Sequence, residues 1–210
     1  MSGEAGHIGP NAILQLLPAI GEKRGAEAAG GMLERAGIAT VPDGTAMIPE
    51  SDPARLFRQL RFEMPDEAVV ILAEAGRRTA DYVIAHRIPS PARRVLEWLP
   101  AGLAARALSG SIYRHAWTFA GSGRFRAITP WLFEIADNPM TRSEAATAPL
   151  CVWHAAVFER LYRRLVAADV TCTEVRCAAV TGEGSCRFVL LRGANQTATP
   201  RRMASARAEA

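Results

Sequence analysis

Between Cys151 and Leu191 the apolar period changes once, from helix spacing to strand spacing, and this restricts the possible folds more than any other stretch. Cys151, Ala155, Phe158, Tyr162 and Leu165 recur three and four apart, so they share one helix face. After Ala168-Asp169 the period falls to two. Strict alternation then puts Cys177 on a face with Val175 and Ala179, and Cys172 on the other with Glu174 and Arg176. Thr181 to Ser185 supplies two glycines for a turn, and Cys186 opens a second strand with Phe188 and Leu190 on its own face. A helix packed on this hairpin can deliver Cys151 to Cys177 and Cys186.

Three converging thiols are either small buried hydrophobes or part of a metal site. Soft thiolates suit Zn²⁺, which takes four ligands and accepts one carboxylate or imidazole among them. A helix N-terminus also helps to ionise Cys151. Two residues are candidates for the fourth place. Glu134 alternates with apolar neighbours in WLFEIADNP, a pattern equally typical of a solvated outward position, and His154 follows Cys151 by one helical turn. Cysteine separations of 26 and 9 residues match no zinc ribbon or finger, so spacing alone does not choose between these readings.

Several of these residues carry a family resemblance: Phe133-Glu134, Cys151 with Trp153, Glu174-x-x-Cys177, and Gly182 through Cys186. On them, residues 120 to 192 resemble the 4-vinyl reductase domain. His115 to Phe125 and Asp137-Asn138-Pro139 extend the likeness to the branch of that family found in bacteriochlorophyll biosynthesis. The resemblance implies zinc held by Glu134, Cys151, Cys177 and Cys186. It also implies a fold like that of vesicle-tethering subunits, with a ligand cavity and a homodimer formed through N-terminal helices. One residue departs from the family in the last cysteine spacing, within a glycine-containing turn, and Cys172 is extra.

Length and composition set outer bounds. The 210 residues are 49% apolar and 22% charged, enough for one core, and we expect a single domain over 1–192. Residues 193–210 read as a disordered basic tail, because the arginines at 192, 201, 202 and 207 against Glu209 account for +3 of the net +4. The nearly neutral remainder offers no electrostatic footprint for nucleic acid. Pro100 and Gly102 interrupt VLEWLPAGLAARAL, so no transmembrane span is expected, and the first residues lack a secretory signal. The expected location is cytoplasmic, where thiols stay reduced.

Helical patterns precede the strands. Pro10-Asn11 starts a helix with Ile13, Leu16, Leu17 and Ile20 on one face, and Asp52-Pro53 starts another bearing Leu56, Phe57 and Leu60. The longest pattern runs from 66 to 86 through Val69, Leu72, Gly76, Thr79 and Val83. Ser90-Pro91 opens a helix with Val95, Trp98 and Leu99 on its inner side and Arg93-Arg94 outside, ended by Pro100. A helix from about 103 to 115 and strands at 124–128 and 131–137 complete an α+β fold, with N-terminal helices packed on an antiparallel sheet.

No dinucleotide fingerprint, P-loop or nucleophile elbow occurs; Gly121-Ser122-Gly123 and Gly182-x-Gly184 are incomplete versions of the first. His115, Trp117, Phe119, Phe125, Trp131 and Phe133 cluster at the entry to the sheet. Such a stripe is usually core; as a pocket wall it suits a large flat ligand, with His115 or His86 as axial ligand to a chelated magnesium. Through the resemblance, that ligand is a magnesium porphyrin or divinyl protochlorophyllide. Two functions follow. One is a zinc-stabilised carrier presenting the pigment precursor to pathway enzymes; the other is a reductase of the ring vinyl group, which requires a hydride or electron source.

Overall fold

The computed structural model describes residues 6–193. The expected basic tail, Gly193 apart, lies outside them. Strand β1 (His7–Ile8) leads into helices α1 (Asn11–Leu14), α2 (Leu16–Arg24) and α3 (Ala26–Arg35), and β2 (Ile48–Pro49) pairs back on β1. Helices α4 (Ser51–Glu63), α5 (Pro65–His86), α6 (Ser90–Trp98), α7 (Ala101–Arg114) and α8 (Trp117–Ala120) follow. The chain then runs through β3 (Arg124–Thr129), β4 (Leu132–Ala136), α9 (Val152–Leu165), β5 (Val170–Arg176), the single turn α10 (Ala178–Thr181) and β6 (Ser185–Arg192). The last four strands form one antiparallel sheet in the order β3-β4-β6-β5, so the fold is α+β with helices packed on an antiparallel sheet.

One face of this sheet is the core. Phe125, Phe133, Ile135, Cys186, Phe188, Leu190 and Val170 all turn inward and are buried. Helix α9 lies on them because its apolar residues recur at helix spacing, and Phe158 meets Phe133 and Phe188 edge-on at 5.1 and 5.4 Å between ring centroids. Each fully buried phenylalanine contributes about 2–3 kcal/mol. Helix α5 then covers α9. At Gly76 a Cβ would lie 2.5 Å from the carbonyl oxygen of Trp153, so only glycine lets the two backbones approach this closely.

Three helix assignments differ from expectation. The first apolar helix is broken at Gln15 into α1 and α2, while Ile13, Leu16 and Ile20 stay buried. In α5, Leu72, Gly76 and Thr79 face inward but Val69 is exposed. In α6 the buried residue is Leu96; Val95 and Trp98, expected inside, are 58% and 90% exposed. Arg93 reaches back instead to the carbonyl of Ile84 at 3.3 Å. Proline at the second helix position and Pro100 after the end phase this helix on Leu96, leaving Val95 and Trp98 on the free side.

Candidate metal centre

Cys151 is the N-cap of α9, Cys177 leaves β5, and Cys186 stands near the start of β6 on the inner face. All three are free and buried. The Cys151 thiol donates to Cys186 Sγ at 3.3 Å, and the ligand atoms of Cys151, Cys177, Cys186 and Glu174 all lie within 4.8 Å of one another. The edge of a tetrahedron of Zn–S bonds is about 3.7 Å, so the sulfurs need little movement to close on an ion.

The fourth group is Glu174, not Glu134. Strict alternation separates Glu174 from Cys177, but the β5–β6 register shifts between Glu174, opposite Phe188, and Arg176, opposite Arg187. Val175 is the extra residue of this bulge and points to solvent at 51% exposure. The bulge reverses the phase, bringing both Glu174 and Cys177 to the inner face. Cys172, opposite the buried Leu190, also turns inward, against the expected facing, but lies further along the strand and outside the cluster. Its backbone N–H donates to Glu159 at 2.9 Å, and burial pushes its thiol up, keeping it protonated.

The surroundings suit thiolates. Backbone N–H groups of Leu150 and Ala178 donate to Cys177 Sγ and Cys186 Sγ, each at 3.4 Å. The Asn138 side-chain amide donates to Cys151 Sγ at 3.3 Å, and Thr141 Oγ1 lies 3.7 Å from Cys186 Sγ. The Cys151 N–H holds Glu174 Oε2 at 2.8 Å, whereas Oε1 is buried with no partner. Protons are distributed unequally in this cluster. Burial, and donation to the other two sulfurs, pushes the Cys151 thiol up; the bond it donates brings Cys177 down to about 4 and Cys186 down to about 7. Burial lifts Glu174 to about 9. An orphaned carboxylate oxygen facing three thiols is the arrangement a divalent cation satisfies, and the donor set fits zinc.

Glu134 occupies the opposite, outer face. Its register partners are Arg126 and Arg187, whose guanidinium nitrogens lie 2.5 and 2.6 Å from its two oxygens. Burial opposes its charge, but Arg187 and Arg126 hold it below the usual carboxylate range. His154 does not reach the thiols either. It is buried among Phe119, Phe158 and Phe188, with Nε2 3.3 Å from the Phe119 carbonyl and Nδ1 without a partner, and burial lowers it to about 4.

The six aromatic candidates separate into three groups. Phe119, Phe125 and Phe133 interlock with Phe158 in edge-to-face and tilted contacts and fill the space between α9 and the sheet. Trp131 packs edge-on against Tyr162, whose hydroxyl donates to the Pro130 carbonyl at 2.5 Å. His115 and Trp117 are exposed at the surface. The structure thus packs the rings against one another and does not range them along one chamber. A cleft of about 500 Å³ opens instead beside the outer face, lined by Tyr113, Arg124, Phe125, Arg126, Glu134 and Ala136. Sequence reading missed Asn138, Thr141 and Tyr113 as site residues; Asn138 was visible only as part of the branch-specific Asp137-Asn138-Pro139.

The class is set by the segment that carries the cysteines: residues 131–192 match the model of the 4-vinyl reductase domain. Over 189 residues the chain is 48% identical to the bacteriochlorophyll synthase 23 kDa chain of Cereibacter sphaeroides, covering 89% of this chain and 91% of that one. It is 43% identical over 195 residues to the protein of the same name from Rhodobacter capsulatus, covering 92% and 91%. The chain belongs to the family of bacteriochlorophyll synthase 23 kDa chains. Its fold is similar to that of an H-NOX protein from S. oneidensis, with TM-score 0.56 at 9% identity over 88% of this chain and 99% of the other. An H-NOX from T. Tengcongensis gives 0.55 at 10% identity over 89% and 98%.

Proposed function

We propose that this protein serves bacteriochlorophyll biosynthesis as a zinc-stabilised binding protein that holds a magnesium porphyrin or divinyl protochlorophyllide and presents it to pathway enzymes. Relatives at 43–48% identity, which are named as chains of bacteriochlorophyll synthase, support the pathway and the enzyme partners. The observation that carries the non-catalytic reading is the completeness of the donor set. Three sulfurs and one carboxylate oxygen make four protein ligands, leaving no place for a reacting water or substrate. Zinc bound there ties α9 to the last hairpin.

The pigment lies in the cleft between α7 and the β3–β4 hairpin. Tyr113 and Phe125 offer aromatic surface, and Arg124 and Arg126 offer guanidinium groups to the propionate edge of a tetrapyrrole. Of the six aromatics singled out in the sequence, Phe125 is the one that lines it. Glu134 has a role here as the anchor that fixes Arg126. H-NOX structures with this fold include one solved to probe heme distortion; at 10% identity that likeness concerns architecture. The reading includes a cytoplasmic homodimer, joined where Phe62, Val69 and Val70 stand exposed on α4 and α5.

Titration of the purified protein with divinyl protochlorophyllide tests this. A shifted absorption band that saturates, and weakens in Arg126→Gln, is the expected result. Vinyl reduction by the protein alone with a nicotinamide cofactor would instead establish the reductase.

A further inference from the structure

We propose that the corner where α6 meets α7 docks on an anionic lipid bilayer surface. Two independent features coincide there. The first is charge. Most arginines of the described residues lie within ion-pair distance of a carboxylate. Those with no such partner among the described residues are Arg87, Arg93, Arg94, Arg106, Arg114 and Arg164. They fall on the end of α5, on α6 and α7, and on the last turn of α9, one contiguous part of the fold.

The second is apolar exposure. Trp98 is 90% exposed at the last position of α6, Val95 is 58% exposed one turn before it, and Leu103 is 55% exposed in the first turn of α7. Pro100 makes the corner between them. Trp98 therefore projects at the tip of a bend rather than lying on a flat face. An exposed tryptophan with aliphatic neighbours and a rim of unpaired arginines matches the interfacial layer of a bilayer, where the indole sits at headgroup depth and guanidinium groups meet phosphates. Beside the tip, Arg93, Arg94 and Arg164 line a pocket of about 230 Å³ with Ser90 and one opposing carboxylate, Glu97. That pocket has the size and charge to receive a phosphodiester headgroup. The single sign of the rim favours an anionic surface over a neutral one. No helix among the described residues is long and apolar enough to cross a membrane, so the contact is peripheral. This inference does not depend on pigment binding, which uses the cleft beside the sheet.

Flotation of the full-length, zinc-loaded protein with vesicles tests it. The expected result is recovery with phosphatidylcholine vesicles containing phosphatidylglycerol, little recovery with phosphatidylcholine alone, and release by salt. Trp98→Ser and the pair Arg93→Gln with Arg94→Gln should each lower partitioning, the arginines by roughly five-fold apiece. Zinc content and melting midpoint should stay at wild-type values, since these side chains are exposed or reach only one backbone carbonyl. Absence of binding at low salt, or binding that the variants leave unchanged, overturns the proposal. If Trp98→Ser instead removes self-association or capture by an acidic protein, with no vesicle binding, the corner is a protein interface and the membrane reading fails.

Discussion

Two buried glutamates on opposite faces of the same sheet show how environment assigns chemistry to one residue type. Glu134 on the outer face sits between two arginines and is held ionised. Glu174 on the inner face has no cationic partner, one oxygen on a backbone N–H and the other on nothing, and burial lifts it to about 9. The outer site is electrostatically complete. The inner site is short of a positive charge and surrounded by sulfur, so it is the one built for a cation.

The strongest test of this contrast is Cys186→Ser, at a fully buried ligand. It should abolish most zinc binding and lower unfolding free energy by about 3–5 kcal/mol, read by metal analysis and denaturant unfolding. Next comes a direct exchange of roles. Glu174→Gln should weaken zinc by roughly 10–100-fold while leaving the outer face intact. Glu134→Gln should retain full zinc and lose about 1–2 kcal/mol, because Arg126 and Arg187 are partly solvated. Zinc loss in Glu134→Gln with retention in Glu174→Gln would reverse the assignment.

A third test exploits His154, another inner-face group without a countercharge. Its folded value is depressed from 6.5 to about 4, so the folded state binds fewer protons than the unfolded state in that window. Its contribution is complete above pH 6.5 and is lost as pH falls toward 4, by up to about 3 kcal/mol. His154→Phe should flatten stability between those limits relative to wild type, whereas the Glu134 contribution disappears only below its ordinary 4.5. The smallest effect belongs to Cys172→Ser, a thiol on the inner face but outside the cluster. It should leave zinc unchanged and cost about 1 kcal/mol or less.

Periodicity made the C-terminal helix, the antiparallel strands and the meeting of Cys151, Cys177 and Cys186 legible, because burial on one face imposes a spacing that the residues display. It failed where one backbone irregularity changed the phase. A single bulge at Val175 moved Cys177 across the sheet relative to strict alternation, and no residue type announces it. Glu174-x-x-Cys177 held the clue, since a three-residue offset pairs one face only across a bulge. The aromatic stripe misled for another reason: His115 to Phe133 spans a helix end, a turn and two strands, and rings adjacent in sequence separate into core and surface. Trp98 was placed inside because it is large and apolar, while Leu96 took the buried position.

Helix α9 begins at Cys151 and ends at Leu165, beside Arg164, over 14 residues. At 1.5 Å per residue it is a rod of about 21 Å with the sulfur cluster at one end and the guanidinium pocket at the other. Gly76 clamps it near the sulfur end, where no methyl group fits beneath the Trp153 carbonyl. Rotation of the rod would displace Cys151 and Arg164 together, so whatever grips one extremity restrains the orientation of the other.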